Sequence, residues 1–208
     1  MIVSYHPPIF SGWKRITTAD TKQKIILQCI ENKIAVYSPH TSFDCARNGV
    51  NDWFINSILP VSEKSQDFPF ILASDNDSSV GYGRSCDLKK PLTISQVIQN
   101  VKSATQLAHL NVAVGNGHSF DTEISSISVC VGSGASVFKK QSSEVFVTGE
   151  MSHHEVLEKV ENGSTVILTH HTNCERGFLK EILKPNLESE FSVKVVVSQT
   201  DSDPQTII

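Results

Sequence analysis

The 208-residue sequence holds no C-x-x-C pair, no apolar run of membrane-spanning length, no secretory h-region, no internal repeat and no low-complexity tract. Each absence removes a class of protein. The five cysteines (Cys29, Cys45, Cys86, Cys130 and Cys174) are odd in number and widely spaced, which speaks against a disulfide framework or a structural zinc knuckle and for a reducing compartment. Without a spanning segment or leader, the expectation is a cytoplasmic protein with no membrane partner. Basic charge is also scarce: 18 Lys and Arg against 22 Asp and Glu give a net charge of −4. A large nucleic-acid footprint needs a basic face, so direct nucleic-acid binding is not expected, although a local anion pocket stays open.

What is there is an ordinary globular composition, 39% hydrophobic and 19% charged, enough for one generous domain or two small ones. A chain of this size buries roughly 70% of its unfolded surface and needs no covalent staples. It opens almost directly on an apolar strand, Ile2–Tyr5, so a shortened N-terminus is expected, because termini usually lie at the surface. Apolar spacing predicts helices over 20–32, with Asp20 as N-cap, and over 48–59, with a strand at 34–37 between them. Residues 60–92 are rich in Pro, Ser, Asp and Gly and read as a connector with short strands at 70–73 and 85–88. From Thr93 the rhythm is regular: helices at 93–105, 152–161 and 173–188 alternate with strands at 111–114, 124–131, 145–147, 165–168 and 193–197. Such alternation predicts an α/β fold with mixed sheets flanked by helices. The corresponding division is an N-terminal portion at 1–60, a connector at 61–92, and a second lobe with the remainder of the shared core at 93–208.

The histidines cluster where such a fold binds ligands, beyond the carboxyl ends of strands. His6 follows the first strand and is held by Pro7 and Pro8, His40 and Asp44 follow the second, and His170 and His171 follow 165–169. His171 and Glu175 are four residues apart, as are His40 and Asp44. On a helix that spacing puts both side chains on one face, where imidazole and carboxylate suit zinc, iron, nickel or manganese. The structural alternative is an ordinary helix-surface contact. Gly132, Ser133 and Gly134 form a strand–helix turn whose amides are able to cradle an anion, without a Walker ending. Arg84, after Gly81 and Gly83, reads as a phosphate contact or a solvated loop cation. Glu150 reads either as an acceptor behind a ligating histidine or as a general base. His153 and His154 are adjacent, so only one of them readily faces a pocket. Cys174 reads as a buried helix residue or a reactive thiol.

Together these motifs resemble the Nif-3-like family, also labelled GTP cyclohydrolase 1 type 2, and within it the eukaryotic group. The resemblance rests on Tyr5-His6-Pro7-Pro8-Ile9-Phe10, Tyr37-Ser38-Pro39-His40-Thr41-Ser42-Phe43-Asp44 and Asn48-Gly49-Val50-Asn51-Asp52-Trp53. It extends through Gly81-Tyr82-Gly83-Arg84, Gly132-Ser133-Gly134, Thr148-Gly149-Glu150-Met151-Ser152-His153-His154 and His171 with Glu175-Arg176-Gly177-Phe178. It implies two similar lobes around a central metal cleft, with His6, Asp44, His171 and Glu175 as ligands to one or two divalent transition-metal ions. Tyr5 stands where bacterial members carry a second histidine. The resemblance also implies a homo-oligomer, a dimer or a ring of dimers. Two functions follow as expectations. One is a metal-dependent hydrolase or cyclohydrolase acting on a nucleotide-like substrate, with Glu150 and His154 moving protons and Gly132–Gly134 holding a phosphate. The other is a non-catalytic partner of transcription regulators, in cytoplasm and nucleus.

Overall fold

Pro7 and Pro8 lack the N–H that a ladder needs, and no strand continues through them. The computed structural model describes residues 1–205 and divides into two compact units, Met1–Phe43 and Asp44–Ile208. In the first unit β1 (Ile2–Val3) pairs in parallel with β2 (Val36–Tyr37). Parallel neighbours need a crossover, supplied by α1 (Thr21–Glu31). Asp20 caps that helix, accepting from the Gln23 amide at 2.9 Å. The short helix α2 (Thr41–Cys45) carries the chain into the second unit. Five residues are too few to show a helical period.

Residues 61–92 lie wholly in the second unit. That unit begins with α3 (Val50–Ile58), which buries Val50, Trp53, Phe54, Ile55 and Ile58, and with them the polar Asn51 and Asp52. A small antiparallel pair follows, β3 (Leu72–Ala73) with β4 (Gly81–Tyr82). The main sheet contains β5 (Arg84–Thr93), β6 (Asn111–Ala113), β7 (Glu123–Ser133), β8 (Val145–Glu150) and β9 (Thr165–Leu168), in the spatial order β5-β7-β8-β9-β6. The two central pairings, β7–β8 and β8–β9, are parallel, and the outer two are antiparallel. The sheet is mixed, as expected. Helices α4 (Ile94–Thr105), α5 (His153–Glu161), α6 (Asn173–Phe178) and α7 (Lys184–Phe191) complete the unit. Thr93 and Ser152 each close a capping box, with Gln96 and Glu155.

Three further elements differ from the sequence expectation. β5 runs to Thr93 through an irregularity between Asp87 and Leu92. This stretch contains Pro91, and a bulge on a sheet edge is where a proline is tolerated. The helix expected at 173–188 is interrupted by a π-helical turn at Leu179–Leu183 before α7. Pro185 removes an amide and crowds the carbonyl four residues back, so one regular helix cannot run through it. Residues 193–197 form no strand. Val193 and Val196 are exposed, and the Val195 amide donates to Glu188 Oε1 at 3.0 Å instead of to a sheet edge. No helix of the described residues is long and apolar enough to cross a membrane.

The strand pleat divides the core. Cys130, Phe146 and Val166 face one side of the sheet, where Phe138 and Val156 pack on them, the Phe138 and Phe146 ring centroids lying 4.9 Å apart. On the other side α3 packs on β7, and α3, α4 and α6 pack on one another. Arg84 is fully buried there. Its Nε and Nη2 donate to the two Asp52 oxygens at 2.6 and 2.9 Å, Nη1 to the carbonyls of Gly81 and Gly83, and Nη2 also to that of Ala46. All five guanidinium N–H groups are thus satisfied. Arg84 is neither a phosphate contact nor a solvated cation. It fixes β4, β5, α3 and the segment after α2 to one another.

Candidate metal centre

The carboxyl ends of β7, β8 and β9 meet the N-terminus of α6. β9 ends at Leu168, the chain turns through His170 in the left-handed region (φ +63°), and His171 precedes α6. The i,i+4 spacing then does what helical geometry requires: His171 Nε2 and Glu175 Oε1 lie 3.7 Å apart. Two donors that each bind one cation at about 2.1 Å are separated by roughly 3.0–4.2 Å, so this pair is spaced to share an ion. Glu150, the last residue of β8, takes the other ring nitrogen, His171 Nδ1, at 3.1 Å from Oε2. A carboxylate on one ring nitrogen fixes the orientation of the imidazole and turns its other nitrogen, Nε2, toward Glu175.

The backbone opposite is cleared of side chains. Gly132 interrupts the end of β7 at φ +65°, and a Cβ there would stand 2.9 Å from Glu175 Oε1 and 3.2 Å from His171 Nε2. Gly149 lets β8 approach so closely that a Cβ would come within 2.5 Å of the Gly132 carbonyl oxygen. Glu175 is 4% exposed. Burial, then the negative charge of Asp44, pushes its carboxyl up to about 8, against a lowering by Arg176. Asn51 ties the backbone of Asp44 to β7, donating from Nδ2 to the Asp44 carbonyl and accepting from the Val131 amide at Oδ1. Crowded acidic groups beside an imidazole form a donor set that a divalent cation neutralises, and mixed N and O donors suit zinc, iron, nickel or manganese. The residues fit a metal.

A family model described as Duf34/NIF3 (NGG1p interacting factor 3) matches residues 1–204. The chain belongs to the NIF3 family. The NIF3 homolog of Schizosaccharomyces pombe is 40% identical over 220 residues, covering 99% of this chain and 75% of the relative. The NGG1-interacting factor 3 of Saccharomyces cerevisiae is 38% identical over 213 residues, covering 100% and 74%. Among solved structures, a Staphylococcus aureus protein superposes with a TM-score of 0.77 at 22% identity, covering 100% of this chain and 80% of its own.

Other residues singled out in this NIF3 chain have definite places. In the first unit, His6 and His40 follow the paired ends of β1 and β2, with ring centroids 5.1 Å apart, and Tyr5 packs edge-on against both. His40 has φ +40°, and its amide donates to the Tyr5 carbonyl. The Gly132–Gly134 turn is no open row of donors. The Gly132 amide is directed to Cys174 Sγ and that of Gly134 to Thr148 Oγ1 at 3.0 Å, while Ser133 continues β7 opposite Glu150. His154 is exposed in the first turn of α5, its ring centroid 5.5 Å from that of His153. Cys174 is buried, and its thiol is pushed up to about 12, chiefly by burial. It is a packed helix residue, unreactive as a nucleophile. The sequence did not reveal Asn51 as the clamp between Asp44 and β7. A polar residue among the apolar positions of α3 was the available signal.

Proposed function

We propose that this NIF3-family chain binds one or two divalent transition-metal ions through Asp44, His171 and Glu175, with His6 a further ligand on the family resemblance, and acts as a metal-dependent hydrolase or cyclohydrolase. The observation that carries the reading is the His171–Glu175 pair, 3.7 Å apart over a glycine whose missing Cβ leaves room for an ion. A divalent ion held there supplies Lewis acidity and lowers the pKa of a bound water. The chain's own residues supply the rest. Glu150 orients His171 through Nδ1 and, more than half exposed, can also exchange a proton with solvent. His154 is proposed as a second proton carrier, while the Gly132 and Gly134 amides, already used inside the protein, leave a nucleotide-like substrate's phosphate to other donors.

The test is metal content per chain in wild type, His171→Ala and Asp44→Ala. One or two equivalents in wild type, lost in both variants, are expected. Wild type that takes up no metal after reconstitution would remove the catalytic reading. A second reading, a non-catalytic partner of transcription regulators in cytoplasm and nucleus, is favoured by the name of the S. cerevisiae relative, NGG1-interacting factor 3. A homo-oligomer of two lobes around a metal cleft is part of either proposal.

A further inference from the structure

The segment that carries His171 and Glu175 is short and irregular. It comprises the left-handed His170, then His171, then the first turn of α6 to Arg176. Within the segment itself, Asn173 Nδ2 donates to the Thr169 carbonyl and Arg176 Nη1 to Asn173 Oδ1. A second set of contacts comes from far along the chain. Arg176 Nε donates to Asp201 Oδ2 at 2.6 Å and Nη2 to Asp201 Oδ1 at 3.4 Å, two nitrogens on two oxygens of one carboxylate. Thr172 Oγ1 donates to Asp203 Oδ2 at 3.4 Å, and His170 Nδ1 pairs with Gln205 Oε1 at 2.8 Å. The tail has its own turn, the Gln205 amide donating to Asp203 Oδ1 at 2.9 Å.

These contacts alternate with the ligands. The tail holds residues 170, 172 and 176, and the ligands on this segment are 171 and 175. Successive polar tail residues meet successive residues of the ligand segment, so the tail lies along it and does not merely touch one point. The contacts are partly exposed, and their direct contribution to stability is small. Their geometric effect is larger. A bidentate arginine–carboxylate pair fixes direction as well as distance, and groups that orient metal ligands typically change affinity by about 10–100-fold.

Resting on the metal-binding reading above, we propose that Asp201, Asp203 and Gln205 are positioning residues. The tail on which they lie braces the segment 170–176 and sets the spacing of His171 Nε2 and Glu175 Oε1. The tail supplies no ligand itself.

The experiment uses the full chain and zinc as the probe. Affinity is measured by competition with a chromophoric chelator in wild type, in an Asp201→Asn/Asp203→Asn double variant and in Asp201→Glu. Urea unfolding is measured on each, and the His171 tautomer is read by NMR in the metal-free state. The expected result is a loss of about tenfold or more in zinc affinity in the double variant, with mixed His171 tautomers and little change in the unfolding midpoint. Asp201→Glu, which keeps the carboxylate, is expected to recover most of the affinity. A lowered midpoint with zinc affinity within twofold of wild type would show a merely structural tail and overturn the proposal. Wild type that itself binds no zinc would remove the metal-binding reading and this one with it. Wild-type binding with an unaffected double variant removes only the brace.

Discussion

Asp52→Ala is expected to destabilise the second unit by about 3–5 kcal/mol, the cost of leaving a buried charge without its partner. Arg84 is fully buried and Asp52 nearly so, and the carboxylate is the only anion among the hydrogen-bond acceptors found for the guanidinium. Truncation removes two charge-assisted bonds at 2.6 and 2.9 Å and leaves the arginine's remaining donors on the carbonyls of Gly81, Gly83 and Ala46. No rearrangement brings water easily to a group packed under α3 and β5. Urea unfolding followed by circular dichroism measures the effect, with Asp52→Asn expected to lose less because one acceptor is kept. A loss below about 1 kcal/mol for Asp52→Ala would show that the pair contributes nothing beyond filling space.

Gly132→Ala is expected to abolish tight metal binding while leaving the chain folded. Two effects combine. At φ +65° an alanine is strained, costing about 1 kcal/mol. Its Cβ also occupies the space facing the ligands, 2.9 Å from Glu175 Oε1 and 3.2 Å from His171 Nε2. Gly117→Ala is the control, since Gly117 has φ +82° with nothing within 4 Å of an added Cβ. It shares the strain without the obstruction. Calorimetric titration with zinc is expected to give wild-type affinity for Gly117→Ala and at least about a 100-fold loss for Gly132→Ala, the upper range for disturbed ligand orientation. Equal affinities in the two variants would place the ion elsewhere.

Much of this was legible in the residues. Strand–helix alternation after Thr93 predicted the sheet, and β7, β8 and β9 occur where apolar β-branched runs placed them. His171 and Glu175 were found by their spacing, which a helix start converts into proximity. Local pattern failed where the deciding partner is distant. The valines at 193–197 look like a strand, but a strand exists only with an edge to pair with, and the Val195 amide goes to Glu188. Arg84 looked like a surface cation because nothing near it in sequence announces Asp52, 32 residues earlier. The Gly132–Gly134 turn looked like an anion cradle because a sequence does not show that Cys174 and Thr148 take two of its amides. The tail contacts at Asp201–Gln205 were invisible for the same reason, being side-chain pairs across 25 to 35 residues.

The central claim, that Glu175 and His171 hold a transition metal over Gly132, is tested most directly by anomalous diffraction from crystals of the full chain grown with zinc, with data collected on both sides of the zinc absorption edge. The account predicts an anomalous peak about 2.0–2.2 Å from both His171 Nε2 and Glu175 Oε1, with Glu150 still on His171 Nδ1. A fully occupied peak elsewhere, with His171 and Glu175 bound to nothing but each other, would contradict it.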